Sequence, residues 1–579
     1  MKILFFAPHS GVWIHSFPEA LVAEALQQHG HEIIYVGCRG LLKSHCVCMS
    51  ASLVPFGSSP AMKDRVCRSC KSNDEILRTE FDLAGPNLID LATVDDLNFA
   101  DSLLRSTEQV KFPDLVLDGV EVGRIALYEL LIQSKRGALE LSAAENLRYR
   151  ESLKNVLLVV RSMQRMLDAV KPDRIVLYNA LYSVNRAVCR LAEIRAIPQY
   201  YLHAGDNLSR RLQTLVLARN HTFFYYEHLL GKWGEFERRP CPSDAMTAAT
   251  NHLLEVARGR SIWAYSTAPK GVVDLRREWR IGAQKVICAT MSSPDESFGG
   301  EVAGVLSPVG GLLFATQVDW IRSLIAYVKA RHDLFLVIRV HPREFPNKRE
   351  KLVSDHAKML MEAFATLPGN VRVNWPADRV SLYDVAVITD VFVNAWSSAG
   401  REMAWLGLPV VLYSPNLPHY PPDLNYVGST EPEYFRQIEQ ALKDGWSAER
   451  IRKTYRSCAV DLYFGALDIS DSFSADEHVS SARRALNRLM RKLAPTRLQR
   501  SNCRQRAAHL ASADRINRIL SDELTAAFDL DDFQAPVTYA EETLFLKREV
   551  RRIVDGLYGG RRSFAKDSLP GKLLDFATS

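Results

Sequence analysis

The chain has 579 residues, of which 47% are hydrophobic and 24% are charged, and its formal net charge is +6. This length exceeds what one hydrophobic core sustains, so two or three domains are expected. The composition is that of a soluble globular protein, and the small net charge argues against a nucleic-acid-binding protein. The apolar run at residues 2–7 is too short for a signal peptide, and no later run has the roughly twenty apolar residues of a membrane span. We therefore expect a cytoplasmic protein.

The N-terminal part alternates between strand and helix patterns. Residues 2–7 are predicted to form a strand, residues 18–29 a helix that Gly30 ends, and residues 31–37 the next strand. A βαβ unit this short implies a parallel sheet. Further strands are predicted at residues 114–118, 174–178 and 199–203, with a long helix at 143–170 between the first two. These elements predict a Rossmann-like domain over residues 1–270.

A second α/β series starts near residue 284. Strands are predicted at residues 284–290, 334–340, 370–374 and 409–413, and a helix at 318–331. They predict a second Rossmann-like domain over residues 271–430, followed by a helical C-terminal extension over residues 431–579. Two such domains in series leave a cleft, the usual place for a substrate.

Two motifs in the second domain indicate a nucleotide site. His341 and Pro342 follow a buried strand, and Ser397 and Ser398 open a helix after a later short strand that begins at Val391. Backbone N–H groups at the start of a helix lack partners within the helix and favour an anion, most simply a phosphate. Each motif alone has an ordinary explanation, because proline ends strands and serine caps many helices. Their order and spacing within one α/β domain favour the nucleotide.

These motifs, together with residues 381–384, resemble a known family over about residues 334–413. The family comprises GT-B fold bacterial glycosyltransferases of capsule and lipopolysaccharide assembly, including sialyl- and Kdo-transferases, with CDP-glycerol glycerophosphotransferases as relatives. There the two motifs bind the nucleotide of a pyrimidine-activated donor. The opening βαβ unit is similar to the acceptor half of these enzymes, and Asp118-Gly119 resembles their acidic-glycine motif that holds the catalytic base. Leu117 departs from the pattern, since many members have a second acidic residue there.

The resemblance implies specific roles. Sugar transfer needs a base for the acceptor hydroxyl and positive potential at the departing phosphate. Asp118 is the predicted base, and His341 is the predicted group at the leaving phosphate. The alternative for Asp118 is a simple Asp-Gly turn. The alternatives for Arg343 and Glu402 are a surface ion pair and an exposed position on the helix. The predicted nucleotide-binding residues are His341, Pro342, Arg343, Ser397, Ser398 and Glu402. The predicted acceptor-side residues are His9, His15, Glu121, Asn179 and Arg186, of which Glu121, His9 and His15 are rival bases, and the group at residues 203–206 is expected to shape the same side.

Half of the ten cysteines lie between residues 38 and 70. Cys67 and Cys70 have the spacing of a metal knuckle, and with Cys46 and Cys48 they could supply four thiolates to a structural zinc. The alternative is a set of buried free thiols, which are common in folded proteins. No cofactor is expected for catalysis.

The segment between residues 478 and 513 has many arginines and no acidic residue. An adjacent leucine face would let it lie on anionic lipid at the inner membrane, and packing on its own protein is the alternative. The residues behind this prediction are Arg483, Arg484, Arg488, Arg491, Lys492, Arg497, Arg500, Arg504 and Arg506.

The sequence as a whole predicts an inverting, metal-independent glycosyltransferase. It would move a CMP-activated nonulosonic acid or Kdo, with UDP-sugars left open, onto a glycan or lipid-linked glycan acceptor of the bacterial surface. A CDP-glycerol-type polyol-phosphate transferase and a non-catalytic GT-B-like scaffold of a polysaccharide assembly complex are the alternatives.

Overall fold

The structure is a computed structural model that describes residues 1–270, 274–307, 310, 312–415, 420–473, 490, 495–532, 537–559 and 564–579. Its strands are β1 (Lys2–Phe6), β2 (Glu32–Val36), β3 (Arg174–Tyr178), β4 (Gln199–Ala204), β5 (Thr214–Arg219), β6 (Lys285–Thr290), β7 (Leu334–Arg339), β8 (Val371–Asn374), β9 (Val391–Asn394), β10 (Val410–Leu412) and β11 (Leu467–Asp468).

Helices surround both groups of strands. In the first half of the chain they are α1 (Trp13–Gln28), α2 (Val47–Ala51), α3 (Pro60–Glu80), α4 (Leu88–Leu91), α5 (Val94–Ser106), α6 (Val122–Ile125), α7 (Tyr128–Ser134), α8 (Ala143–Val170), α9 (Ser183–Ile194), α10 (Thr222–Phe236) and α11 (Ser243–Arg258). In the second half they are α12 (Leu275–Glu278), α13 (Asp295–Val302), α14 (Gln317–Lys329), α15 (Asp355–Ala363), α16 (Leu382–Ile388), α17 (Ala399–Trp405), α18 (Glu431–Asp444), α19 (Ala448–Ala459), α20 (Pro495–Gln505), α21 (Ala513–Ser521), α22 (Tyr539–Tyr558) and α23 (Leu569–Thr578).

The first sheet has the strand order β11-β5-β4-β3-β1-β2. Strands β2, β1, β3 and β4 are parallel, and β5 and β11 join antiparallel at one edge. Helices α5, α8 and α9 cover one face and α1, α3 and α21 the other, so the sheet is buried between two apolar layers. This is the predicted Rossmann-like domain, in which the carboxyl ends of the parallel strands share one edge.

The second sheet is wholly parallel, with the order β10-β9-β6-β7-β8. One face packs against α11, α16, α17, α19 and α22, and the other against α14, α15 and α18. The α/β fold with two Rossmann-like domains, the GT-B type, is therefore confirmed. Helix α11 already belongs to the second core, so the chain changes domain between α10 and α11 and not near residue 270.

The C-terminal part is mostly helical, but its helices do not form a separate domain. Strand β11 completes the first sheet, and α20 and α21 pack on α3 and α1. Helices α22 and α23 return to the second domain, where α22 lies against α11. The buried Glu542 of α22 accepts from Arg456 at 2.7 Å and from Arg452 at 2.8 Å. The C-terminal helices therefore pack on the outside of both domains, α20 and α21 on the first and α22 and α23 on the second.

The strand predicted at residues 114–118 is wrong. A 3-10 helix occupies Gln109–Asp114, and Asp118 and Gly119 form a tight turn with left-handed φ values of 49° and 80°. Leu117 and Val120 exchange backbone hydrogen bonds of 2.9 Å across this turn. Two consecutive positive φ values define the type I′ turn that Asp-Gly favours.

Among the described residues no helix has both the length and the apolar character of a membrane span.

The candidate active site lies in the cleft between the two domains

A cavity of about 250 Å³ opens where the carboxyl edges of the two sheets face each other. The first domain contributes the loop after β4 and helix α10. The second domain contributes the ends of β6 and β7, the start of α17 and part of α11. The polar groups on its wall are Asp206, Tyr226, His252, Tyr265, Ser266, Thr290, Arg339, His341, Ser397, Ser398, Arg401 and Glu402.

His341 follows β7 and points into the cavity, as predicted. Its Nδ1 accepts the backbone N–H of Arg343 at 3.2 Å, so it caps the short 3-10 helix Pro342–Glu344. Burial of the ring, with smaller contributions from the charges of Arg339 and Lys135, lowers the pKa of His341 to about 4. The neutral ring therefore carries its proton on Nε2 and can donate a hydrogen bond to a ligand oxygen.

The serine pair lines the same cavity. The Ser397 hydroxyl accepts the N–H of Ala399 at 3.3 Å, and the Ser398 hydroxyl donates to Glu402 at 3.2 Å. The turn is held by Asn394, whose amide donates to the Ser397 carbonyl at 3.0 Å. Gly400 permits this close packing, because a Cβ there would lie 2.0 Å from the Tyr420 hydroxyl. The structure thus brings His341, Ser397 and Ser398 together around one space.

Glu402 is buried and not an exposed helix-surface carboxylate. Its second oxygen accepts from the Tyr383 hydroxyl at 2.7 Å. Burial raises the pKa of Glu402, and the hydrogen bonds from Tyr383 and Ser398 oppose that rise. A carboxylate already held by two donors is suited to orienting Ser398, and it keeps acceptor capacity for a ligand hydroxyl.

Arg343 does not line this cavity, contrary to the prediction. Its guanidinium is buried and lies 2.7 Å from Asp295, and it also pairs with Glu296. The nearby charge of Asp295 helps to raise the pKa of Arg343 against the effect of burial. The 3-10 helix turns the side chain away from the cleft, so this arginine joins β7 to α13.

Arg339 fills the place that was predicted for Arg343. It lies two residues before His341 at the end of β7, and its Nη1 donates to the Val380 carbonyl at 3.1 Å and to the Asn374 side chain. Within the described residues no carboxylate lies at ion-pair distance from it. Burial lowers the pKa of this guanidinium, but the group stays charged near neutral pH. Strand alternation, which puts residues i and i+2 on one face, was the signal that could have identified it.

Asp206 is the carboxylate that the first domain presents to the cleft. It follows β4, and Gly205 lets the chain turn there, since a Cβ at Gly205 would lie 2.0 Å from the Thr214 hydroxyl. The Asp206 carboxylate accepts from the Tyr226 hydroxyl at 3.1 Å, and Arg211 lies 3.9 Å away. The sequence predicted that residues 203–206 shape the acceptor side, and it did not single out Asp206.

Asp118 lies far from the cleft, which corrects its predicted role. Its side chain is exposed, and the neighbouring Gly119 packs against Ile194 at the end of α9. Helix α9 begins at Ser183 on the cleft edge of the sheet and has 12 residues, a length of about 18 Å. Asp118 therefore lies at the opposite edge. Glu121 is near it and pairs with Arg190 of α9 at 3.0 Å, so it is not a base in the cleft either.

Asn179 and Arg186 have structural positions. Asn179 has a left-handed φ of 63°, and its side-chain oxygen accepts the N–H of Leu181 at 3.0 Å, so it shapes the turn after β3. Arg186 is buried in α9 and pairs with Glu193 at 2.6 Å. Neither side chain lines the cavity.

His9 and His15 lie at the cleft edge of the first sheet but beside the main cavity. Their rings pack on tyrosines that follow β3 or end it: His9 is 5.6 Å from Tyr182 edge-on, and His15 stacks on Tyr178 at 4.2 Å. Burial lowers the pKa of each histidine to about 3. His9 lines a separate cavity of about 50 Å³ that also contains Glu129 and Arg148. Both histidines are therefore neutral near pH 7, and their rings pack beside the cavity without lining it.

Two further groups on the cavity wall had no sequence signal. His252 of α11 accepts the N–H of Leu208, from the first domain, at 3.0 Å. The guanidinium groups of Arg211 and Arg349 lie 5.0 and 5.6 Å from the centroid of the Trp263 ring. These contacts pair groups from the two domains, which only the folded chain brings together.

The cysteines predicted to bind zinc are gathered in the first domain. The Sγ atoms of Cys48 and Cys70 are 3.9 Å apart, and Cys46 and Cys67 line the same small cavity. In the part of the chain that the structure describes, however, no group of three or more His, Cys, Asp or Glu side chains is placed to hold a metal ion. Zinc binding stays a prediction.

No protein-family model matches the chain, and no curated protein matches it. Among solved structures, UDP-GlcNAc 2-epimerase from Neisseria meningitidis, bound to UDP-GlcNAc, is similar with 14% identity and a TM-score of 0.25 over 79% of this chain and 94% of the epimerase. The β-Kdo 2,4-transferase of Thermosulfurimonas dismutans is similar with 15% identity and a TM-score of 0.30 over 50% of this chain and 79% of that one. The β-Kdo 2,7-transferase of the same organism matches with 13% identity and a TM-score of 0.28 over 57% and 89%. Likenesses of this size do not establish an activity, which has to be argued from the residues of the cleft.

Proposed function

We propose that this protein is a glycosyltransferase that moves a sugar from a nucleotide-activated donor to a glycan acceptor in the interdomain cleft. One observation carries the proposal. Asp206 of the first domain and the group Arg339, His341, Ser397 and Ser398 of the second line the same cavity. A base therefore faces a site with hydrogen-bond donors and positive charge, which are the two requirements of sugar transfer.

Asp206 is the proposed general base. An inverting transfer needs one carboxylate to take the proton of the acceptor hydroxyl as that oxygen attacks the anomeric carbon from the face opposite the leaving nucleotide. The Tyr226 hydroxyl fixes one Asp206 oxygen by donating to it at 3.1 Å. The other oxygen lies 3.9 Å from an Arg211 nitrogen, beyond hydrogen-bond distance, so it can still accept the proton of the acceptor hydroxyl. Because Asp206 belongs to the first domain, the acceptor would bind on that side of the cleft and the donor on the side of the second domain.

Arg339, His341 and the serine pair are the proposed phosphate site. The Nε2–H of the neutral His341 would donate to the leaving phosphate as negative charge develops on it. Arg339 supplies a positive charge that forms no ion pair with a described carboxylate, although the charges of Glu402 and Asp384 act on it from a greater distance. This is the charge that metal-dependent transferases take from a divalent ion. For this reason we propose a metal-independent reaction.

The proposed donor is a CMP-linked nonulosonic acid or Kdo. Such a donor carries a carboxylate on the sugar beside the phosphate, so it presents two anionic groups to the second domain. Arg401 also lines the cavity, although it pairs with Asp461 at 2.7 Å. Arg339 and Arg401 together match two anions better than one.

The proposed acceptor is a glycan of the bacterial surface, free or linked to lipid. Most of the basic residues predicted to contact the inner membrane, including Arg483, Arg488 and Arg491, lie outside the described residues. Among the described ones, Arg497, Arg500 and Arg504 are exposed on α20, whereas Arg506 pairs with Glu24 at 2.6 Å and packs over the Phe81 ring. Co-sedimentation with anionic but not neutral vesicles, reduced by salt, is the test of membrane contact.

A nucleotide screen tests the proposal directly. A ligand that binds only the native state raises its melting temperature, so CMP should stabilise the protein more than UDP or GDP. CMP-Kdo and CMP-sialic acid should then release CMP faster when acceptor glycan is added. If CDP stabilises most and CDP-glycerol is consumed, the polyol-phosphate transferase is correct. If no nucleotide shifts the melting temperature, the cleft is not a donor site.

A further inference from the structure

A cluster of thiols lies apart from the cleft, under the loop that follows β1. Cysteines from three segments surround a cavity of about 20 Å³, together with Pro8 and Ser10 of that loop. A space of this size holds one small atom or a water. The five cysteines that line it are Cys38, Cys46, Cys48, Cys67 and Cys70.

One pair within the cluster is already in contact. The Sγ of Cys48, on α2, lies 3.9 Å from the Sγ of Cys70, on α3. Cys48 is buried and Cys70 is partly exposed, so Cys70 is the member of the pair that a reagent in solution would reach first. A disulfide has an S–S length of about 2.05 Å, so closure requires a relative movement of about 2 Å.

The loop after β1 is packed directly on this pair. The Gly11 N–H donates to the Cys70 sulfur at 3.1 Å. A Cβ at Gly11 would lie 3.0 Å from the Cys48 sulfur and 3.3 Å from the Cys70 Cβ, so only glycine fits without displacement. His9 lies two residues earlier in the same loop. Any movement of the two sulfurs is therefore transmitted to the segment that places His9.

The geometry of the cluster does not favour a metal site. The described side chains form no group of three or more His, Cys, Asp or Glu residues placed to hold a metal ion. The five cysteines are therefore treated as thiols.

We propose that Cys48 and Cys70 are a redox-active dithiol, which a low-molecular-weight disulfide such as oxidised glutathione converts into an intramolecular disulfide. The thiolate of the accessible Cys70 attacks one sulfur of the reagent, whose S–S bond breaks. The departing thiolate takes up the proton that Cys70 released. Cys48 then attacks the Cys70 sulfur of the mixed disulfide, and its proton leaves with the second reagent thiol. Two protein thiols are oxidised and one reagent disulfide is reduced to two thiols.

Peptide mapping of the full-length native protein tests this proposal. The protein is incubated with oxidised glutathione, quenched in acid, alkylated and digested with trypsin without reduction. Trypsin cuts after Arg65, Arg68 and Lys71, so Cys67 and Cys70 fall on different peptides. The expected product joins the peptide 69–71 to the peptide 44–63, with a mass two hydrogens below the sum of the two.

Serine variants assign the bond within the longer peptide, which contains both Cys46 and Cys48. Cys48→Ser should reduce the linked product at least tenfold, while the matched controls Cys46→Ser and Cys67→Ser should retain it. Hydrogen–deuterium exchange of the wild-type protein should change at residues 8–12 on oxidation, because Gly11 contacts both sulfurs. This readout does not depend on any enzymatic activity.

Three results would overturn the proposal. Cys48 and Cys70 could both remain alkylated after prolonged exposure to the oxidant. The link could instead involve Cys46 or Cys67. Metal analysis could find one zinc per chain that has to be removed before any disulfide forms, which would return the cluster to the structural zinc site.

Discussion

The Nδ1 of His341 accepts the backbone N–H of Arg343 at 3.2 Å, and this one contact separates the roles of the two residues. It fixes the His341 ring with Nε2–H directed to the cleft. It also starts the 3-10 helix that carries the Arg343 side chain to Asp295 on α13. Two residues that are adjacent to the same proline thus belong to different parts of the protein, one to the site and one to the scaffold.

His341→Ala should lower kcat for sugar transfer about 100-fold or more, because a donor aimed at developing negative charge is typically worth that much. Binding of the nucleotide product should weaken less. Steady-state kinetics with a CMP-sugar donor measure both effects. His332→Ala is the matched control: His332 is exposed and precedes β7, at the opposite edge of the sheet, and its variant should behave as wild type. Equal loss in both variants would contradict the assignment.

Asp206→Asn should lower the rate of transfer about 100-fold or more, since general-base catalysis contributes at least that factor. The shift of the melting temperature with nucleotide should remain, because the phosphate site is on the other domain. Asp118→Asn removes the same charge from an exposed turn and should leave turnover unchanged. Loss of activity in Asp118→Asn but not in Asp206→Asn would restore the acidic-glycine motif as the base.

Arg343→Met should lower the free energy of unfolding by about 3–5 kcal/mol, because it leaves Asp295 buried without its partner. Arg343 and Asp295 are 4% and 2% exposed, so solvent does not replace the lost contact. Urea denaturation measures the effect. The double variant Arg343→Met/Asp295→Leu should recover part of the loss, and nucleotide affinity of the folded variants should stay near wild type. A stable single variant with weak donor binding would show that Arg343 serves the nucleotide after all.

The stability of the protein should fall as the pH is lowered from about 6.5 toward 3. Burial lowers the pKa of His9, His15 and His252 to about 3, while the unfolded chain has ordinary histidines near 6.5. Between these values the unfolded state binds more protons, so the free energy of unfolding rises with pH. Each histidine contributes up to about 1.4 kcal/mol per pH unit in this window.

Urea denaturation of wild type and His9→Phe at pH 7, 6 and 5 isolates one such contribution. The variant should show a shallower dependence on pH. Buried carboxyl groups such as Glu19, whose pKa burial raises, act in the opposite direction, but they are common to both proteins and cancel in the comparison. Parallel curves for the two proteins would contradict the prediction, and the exposed His332→Ala variant should give such a parallel curve.

The βαβ pattern and the buried strands of both domains were predictable because they are local. A strand that is covered on both faces has a short apolar sequence, which can be recognised without knowing the rest of the chain, as in residues 2–7 and 334–340. The His-Pro and serine-pair motifs come directly after such strands, so their common edge could be inferred from the topology. The same reasoning could have predicted Arg339 at the site, because it shares a strand face with His341.

Local patterns in the chain were sufficient for the fold class and for one half of the site, because both depend on apolar periodicity and on the residues that come directly after a parallel strand. The position of Asp206 at the cleft, the pairing of Arg343 and the destination of the C-terminal helices emerged only from the folded protein. Asp118 and Asp206 each lie next to a glycine in a turn, and nothing local distinguishes the exposed turn from the one at the cleft. That difference arises from long-range packing: Gly119 rests on the far end of α9, whereas Gly205 lies against β5 beside the second domain. Contacts between residues far apart in the chain, such as Glu542 with Arg456, leave no periodic trace in the sequence.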